Sequence, residues 1–326
     1  MKTLVRIRSV ASNKYLRIGY LTYSMSHGGI WFNADANEED ATIFDCTDPS
    51  LGIKAVGLGG GLDYFGASPN QAVLGSAPRL TIEGEWSNCA IKADDLGTYL
   101  RYYREDKNTY TDCLFFSADQ VSGDDEKFII EKVEEHKVSS QVRIKSNHNN
   151  KYFRFAVGDA WWYAYADATF EEAALFNISD LDQGIKVVGI CHKISNWGNG
   201  SEFHNSYFNY GDTGSTFILF NDESAAVVRQ WEIEKASDGV SIYSKDSKEY
   251  LGLYSYTNSE LYVVGENKPY KKTCVFTIDK RTQIERKGLG TFDHVVVLML
   301  ENRSFDNLLG YLYEDGVPDG ASYAGL

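Results

Sequence analysis

Four tryptophans stand where an indole could stack on a ligand: Trp31, Trp161, Trp162 and Trp197. Saccharide binding asks for a flat aromatic face with a few hydrogen-bonding groups beside it. Trp31 and Trp162 fall at equivalent points of an internal repeat, so core packing competes with ligand stacking at both. Trp161 and Trp162 are adjacent, and successive side chains of a strand point to opposite faces, so one of the two faces outward. Trp197 replaces the Tyr usual at its place in the repeat and is followed by Gly-Asn-Gly-Ser. The rim of a pocket and a local repacking both account for it. His27 lies on a glycine-rich loop, either as a solvated imidazole or as a ligand partner. Further along, Glu301 and Asn302 come where the apolar run Val295–Leu300 ends, the expected place for a ligand site in a parallel sheet. Up to residue 280 no Ser/His/Asp arrangement, phosphate-cradling glycine loop or zinc pattern occurs, which argues for binding rather than catalysis there.

The elements that must position these residues are repetitive. Leu4–Ile18 (LVRIRSVASNKYLRI) matches Gln141–Phe155 (QVRIKSNHNNKYFRF), and Ala41–Gly57 matches Ala173–Gly189. Two homologous modules follow, 1–137 and 138–280. Within each, an aliphatic residue is followed eight positions later by Tyr: Ile7 and Tyr15, Val56 and Tyr64, Ile91 and Tyr99, Ile144 and Tyr152, Ile242 and Tyr250. Small and polar residues fill the gap, which reads as two strands joined by a hairpin turn. A second mark has period two: Phe44 and Cys46, Leu80 and Ile82, Phe128 and Ile130, Phe176 and Ile178, Trp231 and Ile233, Phe276 and Ile278. It marks a strand with one face inward. Three such lobes per module predict an all-β fold of two tandem β-trefoils. A β-sandwich would explain the alternation but not a threefold repeat inside a twofold one.

The bulk properties narrow the partners. The 326-residue chain carries a net charge of −14, and no basic stripe of the kind that binds nucleic acid or anionic membranes is visible. The five cysteines form no CxxC pair and are expected as buried reduced thiols. The N-terminal sequence lacks the apolar segment of a signal peptide, so a cytoplasmic or nucleocytoplasmic location is expected. No run approaches the length of a membrane span.

The segments NKYLR…GGIWFNADANEED and NKYFR…DAWWYAYADATFEEAALF resemble the agglutinin domain of amaranthin-type lectins. That resemblance covers about 1–280. It implies a tandem β-trefoil, a Gal–GalNAc disaccharide as ligand, and a homodimer. The family's sugar loop then falls on Ser26, His27, Gly28, Gly29 and Ile30 before Trp31, and on Gly158, Asp159 and Ala160 before Trp161 and Trp162. The family's Asn-His pair is incomplete here: His27 has no Asn, and Asp159 has no His. Fascin-like actin-binding trefoils share the lobe pattern and supply the alternative of a non-sugar interaction scaffold. No cofactor is expected for the trefoils.

After a linker at 281–291 the character changes. Residues 292–326 open with FDHVVVLMLENRSFDNLLGYLY, a buried strand followed by a short helix that Ser304 can cap. This segment resembles the first motif of bacterial phosphoesterases that include phospholipases C and acid phosphatases. The resemblance implies an α/β domain in which Glu301 and Asn302 bind a divalent metal ion, their oxygens being hard ligands. The family's nucleophile has no counterpart here. The expectation is therefore an incomplete domain, inactive alone, with a tail poorly ordered or docked on a neighbouring surface.

Overall fold

The computed structural model describes residues 2–21, 30–59, 63–68, 71–75, 79–104, 112–133, 141–157, 162–195, 201–208, 230–253, 261–264 and 272–280. The chain divides into two compact units, Met1–Lys280 and Arg281–Leu326. The second unit, and with it the expected phosphoesterase strand and helix, lies outside the described residues.

The first unit is all-β among the described residues, its few helical turns being 3-10 turns of three residues. In the first module the strand Leu4–Ser9 pairs antiparallel with both Phe44–Asp45 and Phe128–Lys132. Leu80–Glu85 pairs with Asn88–Ala93, which in turn meets Phe128–Lys132 at its edge. These short strands form one continuous run of pairings. Three hairpins cap them: Tyr15–Leu21 with Ile30–Ala36, Tyr64–Ser68 with Gln71–Gly75, and Thr98–Tyr103 with Cys113–Ala118. The hairpins also pair with one another, through Cys113 with Asn33, Phe115 with Gln71, and Trp31 with Val73. That mutual triangle of hairpins over the paired strands is consistent with a β-trefoil. The second module repeats the first of these pairings, with Gln141–Ser146 pairing Phe276–Asp279 and Phe176–Asn177.

The aliphatic-to-Tyr spacing has a local cause. Two residues before the Tyr, the chain turns through the left-handed region: φ is 54° at Asn13, 69° at Gly97, 60° at Asn150 and 60° at Lys248. At three of them the amide donates back across the turn: Gly97 to Ala93, Asn150 to Ser146 and Lys248 to Ser244, each at 2.9–3.0 Å. Asn and Gly tolerate that conformation best. A fixed turn holds the aliphatic residue and the Tyr in register.

The period-two marks face the core as expected. Phe44, Leu80, Phe128, Phe176, Trp231 and Phe276 are buried, and Ile82, Ile178 and Ile278 pack against the same core. Aromatic rings fill each module, Phe32 edge-on to Phe65 at 4.6 Å and Phe153 edge-on to Phe276 at 5.3 Å. One continuous apolar cluster includes Ile18 and Leu58 of the first module with Phe155, Ala174 and Ile190 of the second. All five cysteines are free and buried. Burial pushes the Cys191 thiol up to about 12 and those of Cys46 and Cys89 up to about 11.

Candidate functional site

The candidate ligand residues other than Trp197 belong to one hairpin of each module. In the first, Tyr15–Leu21 runs up to 22–29, and Ile30–Ala36 returns. In the second, Tyr152–Val157 runs up to 158–161, and Trp162–Ala168 returns. Ser26, His27, Asp159 and Trp161 fall on those connections and lie outside the described residues, as do Trp197, Glu301 and Asn302. Trp162 begins its strand opposite Val157. Trp31 is 5% exposed, pairs with Gly19 in its own hairpin and with Val73 of the next, so its ring is occupied by packing. Among the described residues no group of three or more His, Cys, Asp or Glu is arranged to hold a metal ion.

Each hairpin is anchored at its base by its repeat tyrosine. Tyr15 Oη donates to Glu131 Oε2 at 2.6 Å, and Tyr152 Oη to Asp279 Oδ2 at 2.8 Å. The third lobes repeat this, Tyr99 to Glu83 at 2.9 Å and Tyr250 to Glu234 at 2.7 Å. Every acceptor sits on the closing strand of the preceding lobe, one residue after its period-two pair. The signal is in the sequence: Leu80-x-Ile82-Glu83, Phe128-x-Ile130-Glu131, Trp231-x-Ile233-Glu234 and Phe276-x-Ile278-Asp279. The first lobes carry Thr47 and Ser179 instead. Arg8 grips the other oxygen of Glu131, its Nε and Nη2 donating at 3.0 and 2.8 Å.

Within the hairpins a second pair of charges recurs. Arg17 donates through Nε and Nη2 to the two carboxylate oxygens of Asp35 at 2.8 and 2.6 Å. Arg154 does the same to Asp167 at 2.5 and 2.7 Å. Parallel two-pronged bonds of this kind fix orientation as well as distance. They tie the outgoing strand of each hairpin to its returning strand.

Each hairpin pairs with a different strand of the other module at the joint between them. Ile18, Gly19, Tyr20 and Leu21 pair parallel with Ile190, Cys191, His192 and Lys193. Phe155 and Ala156 pair parallel with Leu58 and Gly59. In the internal repeat Ile18 corresponds to Phe155, and Ile190 to Leu58, so the second contact is the first with the modules exchanged. The close approach requires glycine at two equivalent positions. Gly57 (φ 90°) and Gly189 (φ 84°) lie in the left-handed region; a Cβ on Gly57 would be 2.8 Å from Ala174 Cα, and one on Gly189 2.8 Å from Thr42 Cα. Phe155 N donates directly to Gly57 O at 2.9 Å. On the other side Thr42 intervenes: Ile18 N donates to Thr42 Oγ1 at 3.1 Å, and that hydroxyl donates to Gly189 O at 2.5 Å. Lys186 Nζ reaches Asp40 Oδ1 at 2.5 Å across the same joint.

No family model matches the chain, and no curated protein sequence matches it. Several solved structures are distantly alike. Agglutinin from Abrus precatorius is 8% identical, over 86% of this chain and 97% of that one, with a TM-score of 0.27. The lysenin pore is 13% identical, over 56% of this chain and 61% of that one, with a TM-score of 0.28. A mosquitocidal holotoxin is 12% identical, over 86% of this chain and 34% of that one, with a TM-score of 0.29. The chain thus spans less than two thirds of the length of the latter two. TM-scores this low establish no shared topology, and the class of this protein rests on its own strand pairing: an all-β protein consistent with a β-trefoil.

Proposed function

We propose that residues 1–280 are a carbohydrate-binding scaffold, with ligand contacts from Ser26, His27 and Asp159, and from Trp161, Trp162 and Trp197. The observation that supports this reading is the pair of equivalent hairpins, each locked by a Tyr–carboxylate bond and a two-pronged Arg–Asp pair, that carries all of these residues but Trp197. Rigid roots under short connections suit recognition of a neutral ligand, and the net charge of −14 does not repel one. A galactose–N-acetylgalactosamine disaccharide is the first ligand to try. Repeated weak sites add through avidity. In keeping with the resemblance of 292–326, this scaffold would serve as targeting module for a phosphoester hydrolase in which Glu301 and Asn302 hold a divalent metal ion. The location proposed is cytoplasmic or nucleocytoplasmic, and the assembly a homodimer.

A glycan array probed at high protein concentration tests the reading. Binding confined to terminal galactose or N-acetylgalactosamine structures supports it. A blank array, together with co-sedimentation with filamentous actin, would favour the protein-binding scaffold instead.

A further inference from the structure

Each candidate hairpin is held by two different modules along its length. At its base, Tyr15 pairs with Arg8, and Tyr152 with Lys145, both within the hairpin's own module. Nearer the connection the partner changes. Ile18–Leu21, the last four residues before 22–29, pair with the other module's Ile190–Lys193. Phe155 and Ala156, just before 158–161, pair with the other module's Leu58 and Gly59. A strand pairing fixes its partner's position to a fraction of its 4.7–4.9 Å spacing. The outgoing strand of each hairpin is thus braced by the opposite module where it nears the connection.

The joint is also built to have one geometry. Its backbone is held by Phe155 N to Gly57 O, Gly57 N to Glu172 O at 3.1 Å, and the Thr42 relay. Its two glycines admit backbone where any other residue would collide. The continuous apolar cluster crosses it. Sliding or opening would expose that cluster and strand the paired amides.

We infer that the intermodule joint is the positioning device of the ligand hairpins, so that each module's affinity for saccharide depends on its docking to the other. This rests on the carbohydrate reading above. The residues named here are positioning residues, and none of them touches the ligand. Their effect on binding travels through the strands Tyr15–Leu21 and Tyr152–Val157. Both hairpins are coupled, because one joint braces both.

The test uses the full chain and the galactose–N-acetylgalactosamine disaccharide as probe. Gly57→Val forces the backbones apart, while Lys186→Ala is a milder variant that removes only the ion pair to Asp40. Near-ultraviolet circular dichroism checks that each variant is folded. Hydrogen exchange at 15–21 and 152–157 reports whether the joint has loosened. The expected result is faster exchange in both strands and a dissociation constant raised by roughly tenfold for Gly57→Val, with a smaller rise in both readouts for Lys186→Ala. If Gly57→Val fails to fold, the correlation between exchange and affinity in Lys186→Ala decides the matter. Faster exchange with unchanged affinity overturns the inference and leaves the carbohydrate reading intact. A wild-type chain that binds no disaccharide overturns both.

Discussion

Tyr15 Oη donates to Glu131 Oε2 across 116 residues of chain, at 2.6 Å. The bond ties the start of the first hairpin to the strand that ends the module, and Arg8 completes the grip on the same carboxylate. Tyr15→Phe should lower unfolding stability by about 1–2 kcal/mol, the range for a half-buried hydrogen bond to a charged acceptor. Urea denaturation measures it. Tyr64→Phe is the control: its ring lies under Lys54, and the residue at the equivalent acceptor position is Thr47. A loss as large at Tyr64 as at Tyr15 would contradict the role assigned to the carboxylate.

The same bonds set an alkaline limit. Burial and the Glu131 bond push Tyr15 up to about 12, and the Glu234 bond, with burial, does the same for Tyr250. An unfolded tyrosine ionises near pH 10. A group with a raised folded pKa contributes stability that is whole below its unfolded pKa and lost as pH rises through the folded one. Stability should therefore be flat below about pH 9 with respect to these groups and fall between about 10 and 12. Thermal melts across that window check it, and Tyr15→Phe should blunt the fall.

Thr42 breaks the near-twofold symmetry of the joint at one point. Its hydroxyl sits between Ile18 N and Gly189 O, where the equivalent residue Ala174 leaves Phe155 N to meet Gly57 O directly. Thr42→Val keeps the shape but leaves a buried amide and carbonyl unanswered, and should cost about 1–3 kcal/mol. Thr42→Ala gives the two strands room to close into the direct bond seen on the other side, and should cost less. The reverse order in denaturation midpoints would refute the relay.

The five thiols should not react with an aromatic disulfide reagent in the native protein at pH 8, and should all react in denaturant. All five are buried, and burial raises Cys46, Cys89 and Cys191 to about 11 or 12, leaving little thiolate. Fast labelling of any one in the native chain would mean local opening at its strand.

Much of the architecture is legible in the residues because a barrel imposes period two on its strands and a fixed turn on its hairpins. Ile7 and Tyr15, or Phe128 and Ile130, show both. The carboxylates that receive the tyrosines were also legible, as the acid following Ile82, Ile130, Ile233 and Ile278 of the closing pairs, but only once the order of lobes is known. The joint was not. Gly57, Thr42 and Gly189 are ordinary turn and loop residues on their own. Their meaning depends on which faces the two modules share, a fact of docking that no local periodicity encodes. Trp31 illustrates the same limit, since its type and spacing fit packing and display alike, while in the fold it is 5% exposed.

The central claim is that the two hairpins recognise a neutral saccharide. Calorimetric titration of the galactose–N-acetylgalactosamine disaccharide into the full chain, repeated with Trp161→Ala and His27→Ala, tests it most directly. The account predicts a dissociation constant in the micromolar to millimolar range for the wild type and weakening of about tenfold or more, or about 1.4 kcal/mol, in the variants. No heat of binding at millimolar disaccharide, or equal binding by all three proteins, would contradict it.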